Sequence, residues 1–546
     1  MKTSNRTYTG LFIILALVLG SCQKDLLIQP PNDRLAAELF WKSESDAILA
    51  INAAYPAVLD DGGNLFLRDA FSDIAHVNSF FNANALVAQN NYDASNSTIA
   101  TQWANLWAGV TKTNFVLDNI DKIPVTNKTI VNRVKGEAKV LRAYQYIKLG
   151  ALFGDVPLIT KVISIQEGRD LSRTPVSQIW DFIDKELTDA AALLPARYTG
   201  ADAGRVTRGA ALALRARANL YAGRFQQAAD AAKAVIDLGV YSIYPKYADL
   251  FSYVAERSSE VILDREYIRD ILPNSVFNLM APYGQTASNA SNTYVPTKAL
   301  ANMYPMADGT LITDASSKFD PKNPYKNRDP RLAFSFYVPG DLLPNGKPFN
   351  SLPTSPTTDA AGNTFLATAT GFTSRKYVNN SDAATPVNNG INIIQIRYAE
   401  VLLTYAEAKI EQNQIDQSVI DAINAVRQRG DVKLPALALP QTPANLRETV
   451  RRERTIELAF EGLRLFDVRR WKIGDKVLKG NVEGIDYVEN NSIKTVVVPS
   501  FIKLFNPNRD YLWPIPTNEI ILAPNLSQNP NQTTNPTDVG FVVCTK

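Results

Sequence analysis

Histidine and cysteine are nearly absent from this 546-residue chain: His76 stands alone, and only Cys22 and Cys544 carry thiols. Ser-His-Asp and Cys-His chemistry would all have to pass through that one imidazole, and zinc sites built from His and Cys lack ligands. If Cys22 is used elsewhere, Cys544 has no intrachain partner, so the fold must rest on its core and not on disulfides. No phosphate loop of the G-x-x-x-x-G-K-S/T or strand-coupled G-x-G-x-x-G type is present. Charge of neither sign is in excess. The 57 Lys and Arg oppose 54 Asp and Glu, a formal +3, which offers no basic surplus for nucleic-acid phosphates. The apolar run Leu11 to Leu19 is too short to span a bilayer.

That short run has a meaning of its own. Lys2 and Arg6 precede it, and the small residues Gly20 and Ser21 lead into Cys22, the order of a cleavable export signal. Leu19-Gly20-Ser21-Cys22 resembles the lipobox of bacterial lipoproteins, which implies cleavage before Cys22 and acylation of that residue. Several acyl chains anchor stably where one binds marginally. Residues 1–21 are therefore expected to be a signal peptide and 22–44 a tether and amino-terminal segment. The two leader cations leave with the signal, so the mature chain is close to neutral and its lipid must supply the membrane attachment.

Helical periodicity dominates 45–243. It predicts helices from Ser45 to Pro56 or soon after, Ile99 to Ile120, Lys128 to Leu152 and Pro175 to Leu194. Arg208 to Ala222 and Phe225 to Leu238 then read as two antiparallel helices around Gly223. Tyr398 to Asn413 and Ile415 to Arg429 repeat the design, with Ala216, Ala218 and Ala232 falling opposite Ala406, Ala408 and Ala422. Such pairs look like tetratricopeptide units, which stack into a solenoid-like block. Pro, Gly, Asn, Ser and Thr accumulate over 244–396, which reads as a loop-rich insertion with small strands such as Val261-Ile262-Leu263 and Phe334-Ser335-Phe336-Tyr337. The remainder, 397–546, holds the second pair, a helix from Thr442-Pro443 to Glu461, and a tail with a few strand-like pieces.

Charge is concentrated from Arg451 to Trp471. Glu453, Glu457 and Glu461 fall on one helix face, where they would repel unless arginines meet them. Paired carboxylates for glycoside hydrolysis are the functional reading, but that chemistry needs two carboxyls across a cleft, usually from different elements. A structural network using the bidentate guanidinium fork is the preferred one. His76 reads as a hydrogen-bonded or surface side chain. Trp103 and Trp107 share a helix face and read as core sooner than as a platform. Aromatic residues make up 9% of the chain, and rings with amides suit a neutral, hydroxyl-rich ligand.

Several phrases together resemble one family: Phe40-Trp41, Glu137-Ala138 through Leu141-Arg142-Ala143-Tyr144 to Phe153-Gly154-Asp155-Val156-Pro157, Asp329-Pro330-Arg331-Leu332, Glu453-Arg454 to Glu461-Gly462-Leu463-Arg464, Asp467-x2-Arg470-Trp471, and Tyr511-Leu512-Trp513-Pro514-Ile515-Pro516. They are similar to the SusD/RagB outer-membrane lipoproteins of Bacteroidetes. At Pro530-Asn531 the chain departs from the family's usual Pro-Gly-Tyr. The resemblance implies a mainly α fold of tetratricopeptide-like helix pairs, with a loop-rich ligand-binding region containing short strands. It also implies a non-enzymatic protein, lipid-anchored at the cell surface on the outer membrane; no cofactor is expected, and no metal site is read from the residues. Its partners would be a SusC-like TonB-dependent transporter and an oligosaccharide or, as in RagB, a peptide. Candidate contacts on loops facing away from the helix pairs are Asp73, Phe80, Phe81, Asn82, Tyr92, Trp103, Tyr283 and Tyr294. A carboxylate-based glycoside hydrolase and a purely structural scaffold are the competing classes.

Overall fold

The computed structural model describes residues 40–78, 83–124, 128–285, 290–362 and 367–532; Cys22 and Cys544 lie outside them. Eleven helices carry the architecture: α1 (Glu44–Val58), α2 (Gly62–Ala70), α3 (Ser97–Asn119), α4 (Lys128–Phe153), α5 (Val176–Leu193), α6 (Arg208–Tyr221), α7 (Phe225–Asp237), α8 (Tyr398–Glu411), α9 (Gln417–Arg427), α10 (Pro443–Glu457) and α11 (Arg464–Arg470). Local chemistry starts them where the pattern predicts. Ser43 and Asp46 close a capping box on α1, Thr207 caps α6, and Thr442 caps α10 with Pro443 in its first turn. Pro56 does not end α1, which continues to Val58; a proline this late removes one bond from a helix about to stop.

Consecutive helices pack side by side from α3 through α4, α5, α6 and α7, and α1 lies across α3 and α4. The row then steps from α7 directly onto α8, and α9 and α10 pack on α8, so the roughly 160 residues between α7 and α8 leave the helical row uninterrupted. Close approach is possible because the crossing positions are small. Ala210, Ala211, Ala213, Ala216 and Ala218 of α6 and Ala228, Ala229, Ala231 and Ala232 of α7 are all buried. Each buried methyl withdraws apolar area worth about 25 cal/mol per Å² from water.

The intervening residues build small antiparallel sheets that tie back to the helices. Strand β1 (Ala75–Val77) pairs with β3 (Tyr294–Pro296), β2 (Val261–Arg265) with β6 (Ile393–Arg397), and β4 (Phe336–Tyr337) with β5 (Thr373–Ser374). Phe334 and Ser335, expected in a strand, close a short helix, Arg331–Ser335. The carboxyl-terminal part contains a hairpin of β7 (Lys479–Glu489) and β8 (Ser492–Leu504), far longer than the strand-like pieces expected. Its turn residues Asn490 and Asn491 both have positive φ, 50° and 62°, which matches the twist a two-residue hairpin needs.

Helix α10 ends at Glu457, four residues before its expected end at Glu461. Phe460 and Gly462 turn into the left-handed region, at φ 61° and 73°, and a Cβ on Gly462 would meet the Leu65 carbonyl oxygen at 2.9 Å. Glu461 therefore leaves the helix face shared by Glu453 and Glu457, yet it meets the same Arg397 guanidinium as Glu457.

Candidate functional site

The charge-dense segment resolves into a buried ion-pair lattice. Arg331 bonds Asp329, Glu453 and Glu457 at 2.7, 2.9 and 3.0 Å. Arg397 reaches Glu260, Glu457 and Glu461, each at 2.7 Å, and Arg429 bridges Glu260 and Glu457. Arg427 meets Glu453, and Lys376 meets Glu461 at 3.0 Å. Burial alone would push Glu457 upward, but Arg429, Arg397 and Arg331 hold it well below the usual carboxylate range. Burial pushes Lys376 down to about 8 against the pull of Glu461. Every carboxylate here is committed to a guanidinium or ammonium and closed to solvent, so none of them faces a substrate cleft. The lattice joins α10 to β6 and to the residues around Asp329, and so fixes the loop region to the helix row.

His76 departs from expectation. It is buried on β1 with both ring nitrogens unpartnered among the described residues, edge-on to Phe501 at 4.4 Å. Burial, and then the nearby Lys503, lower it to about 3. It is a neutral core side chain, buried and without a hydrogen bond among the described residues, where a general base would need a partner within hydrogen-bond reach.

Four of the candidate contact residues are corrected by their surroundings. Asp73 is buried and bidentate with Arg464, 2.8 Å to each oxygen. Tyr92 is buried beneath Arg509, whose Cζ lies 5.4 Å from its ring. Trp103 is 3% exposed and wedged edge-on between Trp107 and Phe153. Tyr294, on β3, packs on Phe66. The three rings are taken up by the core, where a helical or strand-inward position buries their apolar area, and the Asp73 carboxylate is taken up by its ion pair with Arg464. Phe80, Phe81 and Asn82 lie outside the described residues.

Tyr283 is different. It is half-buried at the start of a tight helical turn, Tyr283–Gln285, and separate loops converge to hold that turn. The Gly284 N–H donates to Asp359 Oδ1 at 2.8 Å, and Asn345 Nδ2 donates to the carbonyls of Gly284 and Gln285 at 3.4 Å. A Cβ on Gly284 would sit 2.1 Å from Asp359 Oδ2, so a larger residue would displace the Asp359 carboxyl from the clasp. Burial raises the Asp359 carboxyl, while the Gly284 N–H bond opposes the rise. Beside this clasp the Gln285 side chain is 5% exposed with both amide ends unpartnered among the described residues. The Gln285 amide is closed to solvent, which leaves the half-buried Tyr283 ring, on a turn locked by separate loops, as the group on this turn that a ligand could meet. Neither Gln285 nor the clasp was legible in the sequence, since their significance depends on loops 60 and 75 residues apart in the chain.

A row of helix pairs carrying an irregular, internally clasped loop face defines a binding scaffold of the tetratricopeptide-like class. Residues 250–531 match the model of the SusD family, and residues 39–220 match a model described as starch-binding, associating with outer membrane. The chain belongs to the SusD family. It is 28% identical over 550 residues to SusD-like protein P2 of Formosa agariphila, covering 96% of this chain and 99% of that one. Its fold superposes with a TM-score of 0.83 on the crystal structure of a SusD-like carbohydrate binding protein from Bacteroides fragilis, at 31% identity, covering 89% of this chain and all of the other. A second SusD-like protein of that species gives 0.78 at 27% identity, over 92% and 99% of the two chains.

Proposed function

We propose that the chain is a cell-surface glycan-binding lipoprotein, tethered through acylated Cys22, that captures oligosaccharide on the loop face around Tyr283 and hands it to a SusC-like TonB-dependent transporter without cleaving it. The observation that carries the binding role is the Tyr283–Gln285 turn: a half-buried ring on a loop fixed in place by Asp359 and Asn345. Relatives support the ligand class, since one is described as carbohydrate binding at 31% identity. A laminarin binding SusD-like protein shares the fold, with a TM-score of 0.70 at 20% identity. The outer-membrane association in the matched family description agrees with a lipid tether, and no described helix is long and apolar enough to cross a membrane. Weak, reversible stacking suits a protein that must release its ligand to a partner.

The test is isothermal titration of the mature chain with laminari- and malto-oligosaccharides, followed by chromatography of the recovered sugar. Saturable binding of uncut oligosaccharide is the expected result. A steady release of reducing ends, or binding of peptides with indifference to every glycan, would replace this reading.

A further inference from the structure

A second cleft lies elsewhere on the molecule, among α4, α5, α6, α7, α8, α10 and α11, with a volume of about 440 Å³, within the roughly 300–1,000 Å³ of small-molecule sites. Its walls carry the half-buried rings of Trp180, Tyr221, Phe225 and Tyr511. Its charged lining consists of Glu407, Glu411, Arg451, Arg469, Arg470 and Lys472. Most of these neutralise one another. Arg470 is bidentate with Glu407 at 2.6 and 2.7 Å, and Arg451 meets Glu411 at 3.1 Å.

Two cations are left over. Arg469 is 6% exposed, yet among the described residues it has no carboxylate partner: its Nη1 reaches the carbonyls of Ala151 and Leu152, at 3.5 and 3.4 Å, its Cζ lies 5.1 Å from the Trp513 ring, and its Nε bonds nothing. Asp510, whose charge reaches it, is already bound by Arg509 at 2.6 Å. Lys472 stands 4.1 Å over the Tyr511 ring, placed there by a left-handed backbone, φ 55°, and it too lacks a carboxylate among the described residues. Burial and then the neighbouring Arg469 both depress its ammonium, as expected of two like charges sharing a low-dielectric wall. A buried guanidinium without a carboxylate is costly to a fold; Arg328, likewise 6% exposed, bonds a carbonyl with each of its nitrogens, whereas the Nε of Arg469 bonds nothing among the described residues.

We propose that this cleft is an anion-accepting saccharide site, independent of the Tyr283 face, which takes an acidic sugar bearing a carboxylate or a sulfate ester. The anion sits against Lys472 and Arg469, and the sugar faces lie on Trp180 and Tyr511. Helices form the walls, so there is no open sheet edge to which an extended peptide could add as a strand, whereas flat rings flanking a cation pair match a pyranose with a charged substituent.

The test titrates the mature chain with oligogalacturonate, a sulfated carrageenan oligosaccharide, neutral malto-oligosaccharide and a glutamate-rich peptide, using wild type, Lys472→Glu, Trp180→Ala and Tyr283→Ala. Lys472 is exposed, so its reversal leaves the fold intact, which circular dichroism checks. The expected result is binding of one or both acidic saccharides that strengthens at low salt. It should weaken at least about tenfold in Lys472→Glu, fall in Trp180→Ala, and stay unchanged in Tyr283→Ala; the two acidic probes show which anion is preferred. The proposal is overturned if neither acidic saccharide binds, if Lys472→Glu leaves their affinity unchanged or weakens neutral sugar equally, or if only the peptide depends on Lys472. Failure of the loop-face reading registers separately, in the response of neutral glycans to Tyr283→Ala.

Discussion

Arginine serves opposite ends in two regions of this molecule. Around Glu457 the guanidinium groups of Arg331, Arg397 and Arg429 all meet carboxylates in a site closed to water. In the cleft beside Trp180, Arg469 is also buried and has none among the described residues. The difference shows where internal electrostatics is complete and where something from outside could complete it. A lattice whose charges all cancel holds elements in register, and it explains why three glutamates near one helix need no catalytic role. Arg469 and Lys472 instead lie over Trp513 and Tyr511 without a carboxylate among the described residues.

The strongest way to break the comparison is Arg397→Met. It leaves Glu260, Glu457 and Glu461 short of a shared partner, and removing one member of a buried ion pair costs about 3–5 kcal/mol. Chemical denaturation should register that loss. A change under about 1 kcal/mol would mean that the lattice is not what joins the loop region to the helices.

A smaller effect separates carboxylates held down from carboxylates held up. Burial, then the nearby Glu266, raises Asp264 to about 7. Its folded value lies above its unfolded one, so the fold favours the protonated acid, and stability falls as pH rises from about 4 to 7. Glu461 and Asp467, lowered by their cations despite burial, do the reverse: their contribution is present at neutral pH and lost as pH falls below the unfolded value. Asp264→Asn should flatten the decline between pH 5 and 7 by about 2 kcal/mol. Melting temperatures across that range check it, and an unchanged slope would reassign the effect.

The smallest expected change is Lys472→Gln. Losing an exposed cation whose contact with the Tyr511 ring is offset by the nearby Arg469 should shift stability by no more than about 0.5 kcal/mol. A destabilisation of 1 kcal/mol or more would show that Lys472 has a structural partner, and would remove the contrast with Arg397.

The helix row was legible because its signals are local. Alanines at crossing positions, caps such as Thr442 and the break at Gly223 are written in short windows, and the density of Arg and Glu before Trp471 announced the lattice. The ring contacts were not legible. Trp103 and Tyr294 sit at spacings that serve a core as well as a surface, and only the packing of Phe153 and Phe66 decides between the two. The β7–β8 hairpin was underestimated because register shifts after Asn481 and Glu483 break its alternation. Glu461 was misplaced because a left-handed Phe460 has no sequence signature. The Tyr283 clasp and the Arg469 cleft each join residues from distant segments, which no window of sequence contains.

The central claim is capture without chemistry on the loop face, and one titration examines it most directly: neutral oligosaccharide against wild type and Tyr283→Ala, with the sugar analysed afterwards. The account predicts saturable, reversible binding to wild type, an affinity reduced about tenfold or more in Tyr283→Ala with melting temperature unchanged, and intact sugar in both. Equal affinity in the two proteins, or shortened oligosaccharide after incubation with wild type, would contradict it.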